Sequence, residues 1–271
     1  MFKNVRLVSR IICKEGLRDR ALHGILFIAL LSCILYMTVV PMFAFETGKV
    51  MIDIGFASLT LAGLAIVLFL GISLLTADIH KRTVCMILSR PISRTEYIVG
   101  KFMGLSVIIL IALFIVSGLG IFSGWMGTRF ISAIELPRNF SWGTMFTAIF
   151  FNYLSLLIIL AVSFFFTVVT TNAYLSMLFT FCVYLIGSSL ETIVKILSIG
   201  DFVKVSDLYL GILKVFSWIF PNMKALNLKS ALAYGLPLSN TYIFWAVTYG
   251  VFYVMILLSI TILIFNNQEI K

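Results

Sequence analysis

TADIHKRTVCMILSRPISRTEYIVGKFMG, residues Thr76–Gly104, is a charged island set between two long apolar runs. It holds Asp78, Lys81, Arg82, Arg90, Arg94, Glu96 and Lys101. Either flank is long enough to cross a bilayer, since a helix needs about 20 apolar residues to traverse the hydrocarbon. The island therefore reads as a loop, residues 77–101, on one face of a membrane.

The rest of the chain agrees. Of 271 residues 61% are hydrophobic and 11% charged, against about 25% charged in soluble domains, which excludes a water-soluble core. No Asp, Glu, Lys, Arg or His occurs from Asn139 to Leu190 or from Ser230 to Gln268. The first gap has room for two spans and the second for one. Six spans are expected, at Leu22–Ala44, Ile54–Thr76, Phe102–Ser123, Thr144–Val169, Ala173–Leu190 and Tyr242–Phe265. The fold class is an all-α membrane protein, with residues 1–271 forming a single transmembrane domain. Cys13, Cys33, Cys85 and Cys182 have no metal-like spacing. The net charge of +9 suits topology signals and anionic headgroups better than nucleic acid, because no basic domain stands outside the spans.

Residues 2–20 precede the first span. Lys3, Arg6, Arg10, Lys14 and Arg18 recur at steps of three and four, with Val5, Leu7, Val8, Ile11 and Ile12 on the other side. That pattern predicts an amphipathic helix in the headgroup plane, its cations among lipid phosphates. Residues 1–21 carry six Lys/Arg and 77–101 carry five, whereas 45–53 carry only Lys49 and 124–143 only Arg129 and Arg138. The positive-inside rule then places both termini in the cytoplasm. The external segment 191–241 is longer. Within it Leu208–Phe220 and Ala225–Tyr234 read as re-entrant or interfacial helices, the first stopped by Pro221-Asn222 and the second by Gly235 and Pro237.

The loop has internal order. Asp78 can cap a short helix over His80–Leu88, and Arg90-Pro91 breaks it, because a residue before proline is pushed out of the α region. Ser93-x-x-Glu96 is a capping-box pattern that opens the next helix. Elsewhere the chemistry is sparse. His23 and His80 lie far apart, no P-loop exists to bind ATP, and no ionisable residue sits at the centre of a span. Gly55, Gly63 and Gly71 at intervals of eight, and Gly120-x-x-x-Gly124, offer close helix packing. Asn152, Ser155, Ser163 and Thr167 place polar groups on the fourth span, though Ser and Thr also bond carbonyls of their own helix. Met42, Met51, Met126, Met145 and Met223 offer soft thioethers, yet Met is equally a routine filler of apolar packing.

The string Leu88-Ser89-Arg90-Pro91-Ile92-Ser93-Arg94-x-Glu96-Tyr97-x-x-Gly100-Lys101 resembles the signature after the second span of ABC-2 type transporter permeases, the membrane subunits of ATP-binding-cassette transporters. Residues 2–20 resemble that family's elbow helix. Phe220-Pro221-Asn222 with Asn227-Leu228 resembles its element before the last span. One departure is that Asp78 and Arg82-Thr83 stand where the family often has Glu and Gly-Thr.

The resemblance implies that the loop is a coupling helix seated on a separate cytoplasmic ABC ATPase, with Asp78, Lys81, Arg82, Arg90, Arg94 and Glu96 as its contacts. It implies no cofactor in this chain, ATP and Mg being bound by the partner. It also implies a second permease copy, a homodimer, in a prokaryotic cytoplasmic membrane, working as an exporter. No catalytic or metal-binding residue is expected, and no substrate-binding residue is legible. The rival readings are a scaffold that transmits force without moving solute, and a lipid-modifying enzyme using the polar groups of the fourth span.

Overall fold

The computed structural model describes residues 2–40, 47–80, 93–130, 141–199, 207–236 and 238–267. Among them the chain is helical throughout, without a strand. Helix α1 is Phe2–Leu17 and α2 is Arg20–Val39. Thr47–Ala65 continues through six π-helical residues, Ile66–Gly71, into Ile72–His80, and together these form α3. Helix α4 is Arg94–Phe130, α5 is Trp142–Thr170 and α6 is Ala173–Ile199. The short α7, Asp207–Ile219, and α8, Lys229–Ala233, lead into α9, Asn240–Asn267.

Five stretches are long and apolar enough to cross a membrane: Thr47–Ala77, Arg94–Met126, Trp142–Thr170, Ala173–Leu197 and Asn240–Asn267. They coincide with five of the six expected spans. The remaining one corresponds to α2, whose described apolar stretch, Arg20–Ser32, is shorter. Helix α7 has 13 residues, about 20 Å at 1.5 Å each, too short for about 30 Å of hydrocarbon.

Helix α5 is the hub. From Ile158 to Phe164 every residue is buried, as expected of a helix that is apolar all round and enclosed by neighbours. Gly63 and Gly71 of α3 face Leu156 and Leu160 of α5, and Gly250 of α9 faces Leu154, whose Cγ lies 2.7 Å from where a Cβ would stand. Gly55 and Gly120 face open space, so of the glycine spacings noted in the sequence only part serves packing. Ser163 and Thr167 donate to Leu160 O and Ser163 O of their own helix, both at 2.7 Å. Phe114, Phe252 and Leu263 project outward from the bundle, an apolar surface that suits lipid and not water.

Helices outrun the expected spans. Helix α6 continues past Leu190 to Ile199, with Glu191 and Lys195 paired along it at i,i+4, 2.5 Å apart. Helix α4 begins at Arg94, not near Phe102, so the last third of the charged island is helical. The turn between α5 and α6 is two residues long. Thr171 takes a left-handed backbone, φ 54°, and its N–H bonds Thr167 O at 3.0 Å, closing α5 with the usual αL cap.

Candidate functional site

The described part of the island forms a joint at the point where the chain leaves residues 81–92. Its first component is local. Ser93 N–H donates to Glu96 Oε2 at 3.0 Å and Glu96 N–H donates to Ser93 Oγ at 3.2 Å. This is the reciprocal capping box that the spacing predicts, and it satisfies two donors that a helix start leaves orphaned. Glu96 is nevertheless only 8% exposed, because its Oε2 also accepts from Asn4 Nδ2 at 3.1 Å. The cap of α4 therefore holds the first turn of α1.

Arg94 points to the other end of the chain. Its Nη1 donates to Phe265 O at 3.1 Å and Asn266 O at 3.0 Å. These carbonyls belong to the last turn of α9, where a helix leaves its acceptors unpaired and carries partial negative charge.

Lys101 closes the joint onto α3. It is fully buried, and its Nζ donates to Leu74 O at 2.7 Å and Tyr97 Oη at 3.2 Å. The ammonium also sits 5.5 Å from the centre of the Tyr97 ring, within range of a cation–π attraction. Tyr97 in turn stacks on Phe265, centroids 6.2 Å apart. A buried ammonium is tolerated only when its donors are used; here the bond to Leu74 O reaches α3, while that to Tyr97 lies one turn back on α4 itself. The sequence offers Lys101 as a surface cation; what buries it is a carbonyl 27 positions earlier, which no local pattern shows.

The seat of α1 depends on two glycines. A Cβ at Gly100 would lie 2.8 Å from Val8 Cβ, and one at Gly104 would lie 2.9 Å from Ile12 Cβ and from Ser9 O. Val8 and Ile12 are each 5% exposed against this groove, while Leu7 and Ile11 stay open at 47% and 56%. The apolar side of α1 thus divides into a stripe on α4 and a stripe facing outward. Gly100-x-x-x-Gly104 is the small-residue motif that admits this approach. It escaped the sequence reading because its two glycines fall on either side of the expected boundary, Gly100 in the loop 77–101 and Gly104 in the span Phe102–Ser123.

The expected site residues separate accordingly. Lys3, Arg6, Arg10 and Lys14 are all exposed along α1, and Arg18 is exposed in the turn that follows it. Arg94 and Glu96 meet at the joint. Asp78 lies in the last turn of α3, its side chain outside the described residues. Lys81, Arg82 and Arg90 also lie outside them, as does all but the first residue of the helix expected over His80–Leu88. Among the described residues, no cluster of three His, Cys, Asp or Glu could hold a metal.

The arrangement ties α1, α3 and α9 to the start of α4, where the charged segment re-enters the bundle. With its apolar spans, it defines a multi-pass helical membrane protein. A profile of the family described as ABC-2 family transporter protein matches residues 13–270, and the chain belongs to that family of membrane transport components. No curated protein gives a significant match.

Proposed function

We propose that this chain is the permease subunit of an ATP-driven exporter in a prokaryotic cytoplasmic membrane. Six helices, α2, α3, α4, α5, α6 and α9, cross the bilayer, with both termini in the cytoplasm. Two copies pair to enclose the path. Residues 81–92 dock on a separate cytoplasmic ABC ATPase that binds ATP and Mg, with Asp78, Lys81, Arg82 and Arg90 as the docking residues. Arg94 and Glu96 border the contact and transmit it.

The observation that supports this reading is the convergence at the loop's root. Glu96 reaches α1, Arg94 reaches α9 and Lys101 reaches α3. A push on the loop then moves four helices together. Alternative packings of the bundle exist beforehand, and ATP-driven closure of the partner shifts the balance between them.

The test is purification of the tagged chain from its native membrane with identification of what accompanies it. Recovery of an ATPase with a Walker A motif, lost in Arg90→Glu, supports the proposal. A wild-type chain that purifies without an ATPase, or an Arg90→Glu chain that keeps one, overturns the docking assignment.

A further inference from the structure

At the end of the bundle away from α1 there is a polar cavity of about 400 Å³. Its walls are the first half of α3, the first half of α5 and the last half of α6. Its lid is the segment Met223–Lys229. This lid is firmly built. Gly187 lets the chain at Pro221 lie directly against α6, and Met223 N–H bonds Gly187 O at 3.2 Å. Asn222 N–H donates to Tyr249 Oη at 2.8 Å, and Tyr242 Oη–H donates to Ala225 O at 2.6 Å.

Polar groups gather here. Thr60 Oγ donates to Phe56 O at 2.8 Å, so its lone pair accepts Asn152 Nδ2 at 2.8 Å. That fixes the amide orientation and leaves Asn152 Oδ1 buried without a hydrogen bond. Ser155 Oγ, one turn on, reaches Met223 Sδ at 3.2 Å. At the mouth, Lys224 Nζ donates to Thr192 Oγ1 at 2.8 Å and Lys229 Nζ pairs with Asp53 Oδ1 at 3.3 Å. Nearby Glu191 is matched by Lys195. Three lysines thus meet two carboxylates, leaving the mouth cationic. Phe56, Leu61 and Leu226 supply apolar wall beside it.

We propose that this cavity binds a phosphate-bearing polar group, with the phosphate at Lys224 and Lys229 and the polar remainder among the hydroxyls and the Asn152 amide within. A lysine ammonium bound to a neutral hydroxyl exchanges that bond for a phosphate oxygen readily, because charge-assisted bonds are the stronger. The apolar wall beside the cationic mouth suits an amphiphile whose chains stay in lipid. Two sources present this chemistry: the headgroup of an anionic phospholipid, and a free phosphorylated polyol. The site needs neither the ATPase nor transport, so it stands or falls apart from the proposed function.

The test uses the full chain in detergent, stripped of lipid, with native mass spectrometry. The probes are phosphatidylglycerol, glycerol 3-phosphate and diacylglycerol, the last lacking phosphate. The proposal expects phosphatidylglycerol or glycerol 3-phosphate to bind and diacylglycerol not to compete; which of the two binds identifies the source. In Lys224→Gln/Lys229→Gln, affinity falls roughly tenfold or more. Arg20→Gln/Arg129→Gln, which removes two exposed charges outside the cavity, leaves binding unchanged. Ala57→Trp fills the cavity with every lysine retained and also abolishes binding, which guards against a double variant that fails to fold. Equal binding by wild type and Ala57→Trp, equal loss in Arg20→Gln/Arg129→Gln, or no preference over diacylglycerol would each overturn the proposal.

Discussion

Two polar side chains inside the bundle pose opposite energetic problems. Asn152 makes one interhelical bond and leaves its oxygen unbonded. A side-chain bond between membrane helices contributes about 0.6 kcal/mol, whereas an unsatisfied buried acceptor costs about 1–3 kcal/mol. The second term is larger, so Asn152→Leu is expected to raise thermal stability in detergent, although it alters the cavity wall. Lys101 is the reverse case, since its donors are used. Lys101→Ala removes both stem and bond and is expected to cost about 2–4 kcal/mol. Lys101→Met restores the stem and is expected to recover most of that, which thermal unfolding of the two variants side by side will show.

At the scale of single elements, the capping box gives a sharp contrast. Glu96→Gln keeps an acceptor for Ser93 and Asn4 and leaves the start of α4 ordered. Glu96→Ala removes it and costs about 1 kcal/mol, with faster amide exchange at residues 93–97. The packing of α1 is less forgiving. A methyl at Gly100 meets Val8 Cβ at 2.8 Å, so Gly100→Ala is expected to cost about 1–3 kcal/mol through overpacking. Gly120→Ala, facing open space, serves as the control with no measurable loss. Element identity was largely readable beforehand, because spans and caps follow from local pattern: the charge-free gap after Asn139 marks α5 and α6, and Ser93-x-x-Glu96 marks the start of α4. Element ends were not. Whether Lys101 lies in water or in the bundle depends on Leu74, and α6 runs on through Glu191 and Lys195. Neither is set by hydropathy.

For the molecule as a whole, the joint beside residues 81–92 makes a prediction distinct from docking. Arg94→Ala releases the last turn of α9 but leaves Asp78, Lys81, Arg82 and Arg90, the docking residues of the proposed function. Under the proposed function it retains the ATPase on purification and loses coupling, so ATP hydrolysis no longer responds to the permease. Arg90→Glu loses the ATPase altogether. The family was legible from about twenty residues of motif, chiefly around Arg90-Pro91 and Phe220-Pro221-Asn222. The second of these has a visible cause, since the turn at Pro221 fits only over Gly187. The polar cavity was not legible as a unit. Thr60, Asn152, Thr192 and Lys224 lie on four segments, and only the folded bundle makes them neighbours.

The π-helical residues Ile66–Gly71 have a consequence for the timing of side chains along α3. A π-turn holds one residue more than an α-turn, so the two halves of the helix are out of phase. One residue corresponds to about 100° of rotation. Thr60 and Gly63 serve α5 before the offset, and Leu74 presents its carbonyl to Lys101 after it. Removing a single residue between Ile66 and Gly71 would leave the composition of the span almost untouched. It would nevertheless swing the exit of α3 about a quarter-turn around its own axis.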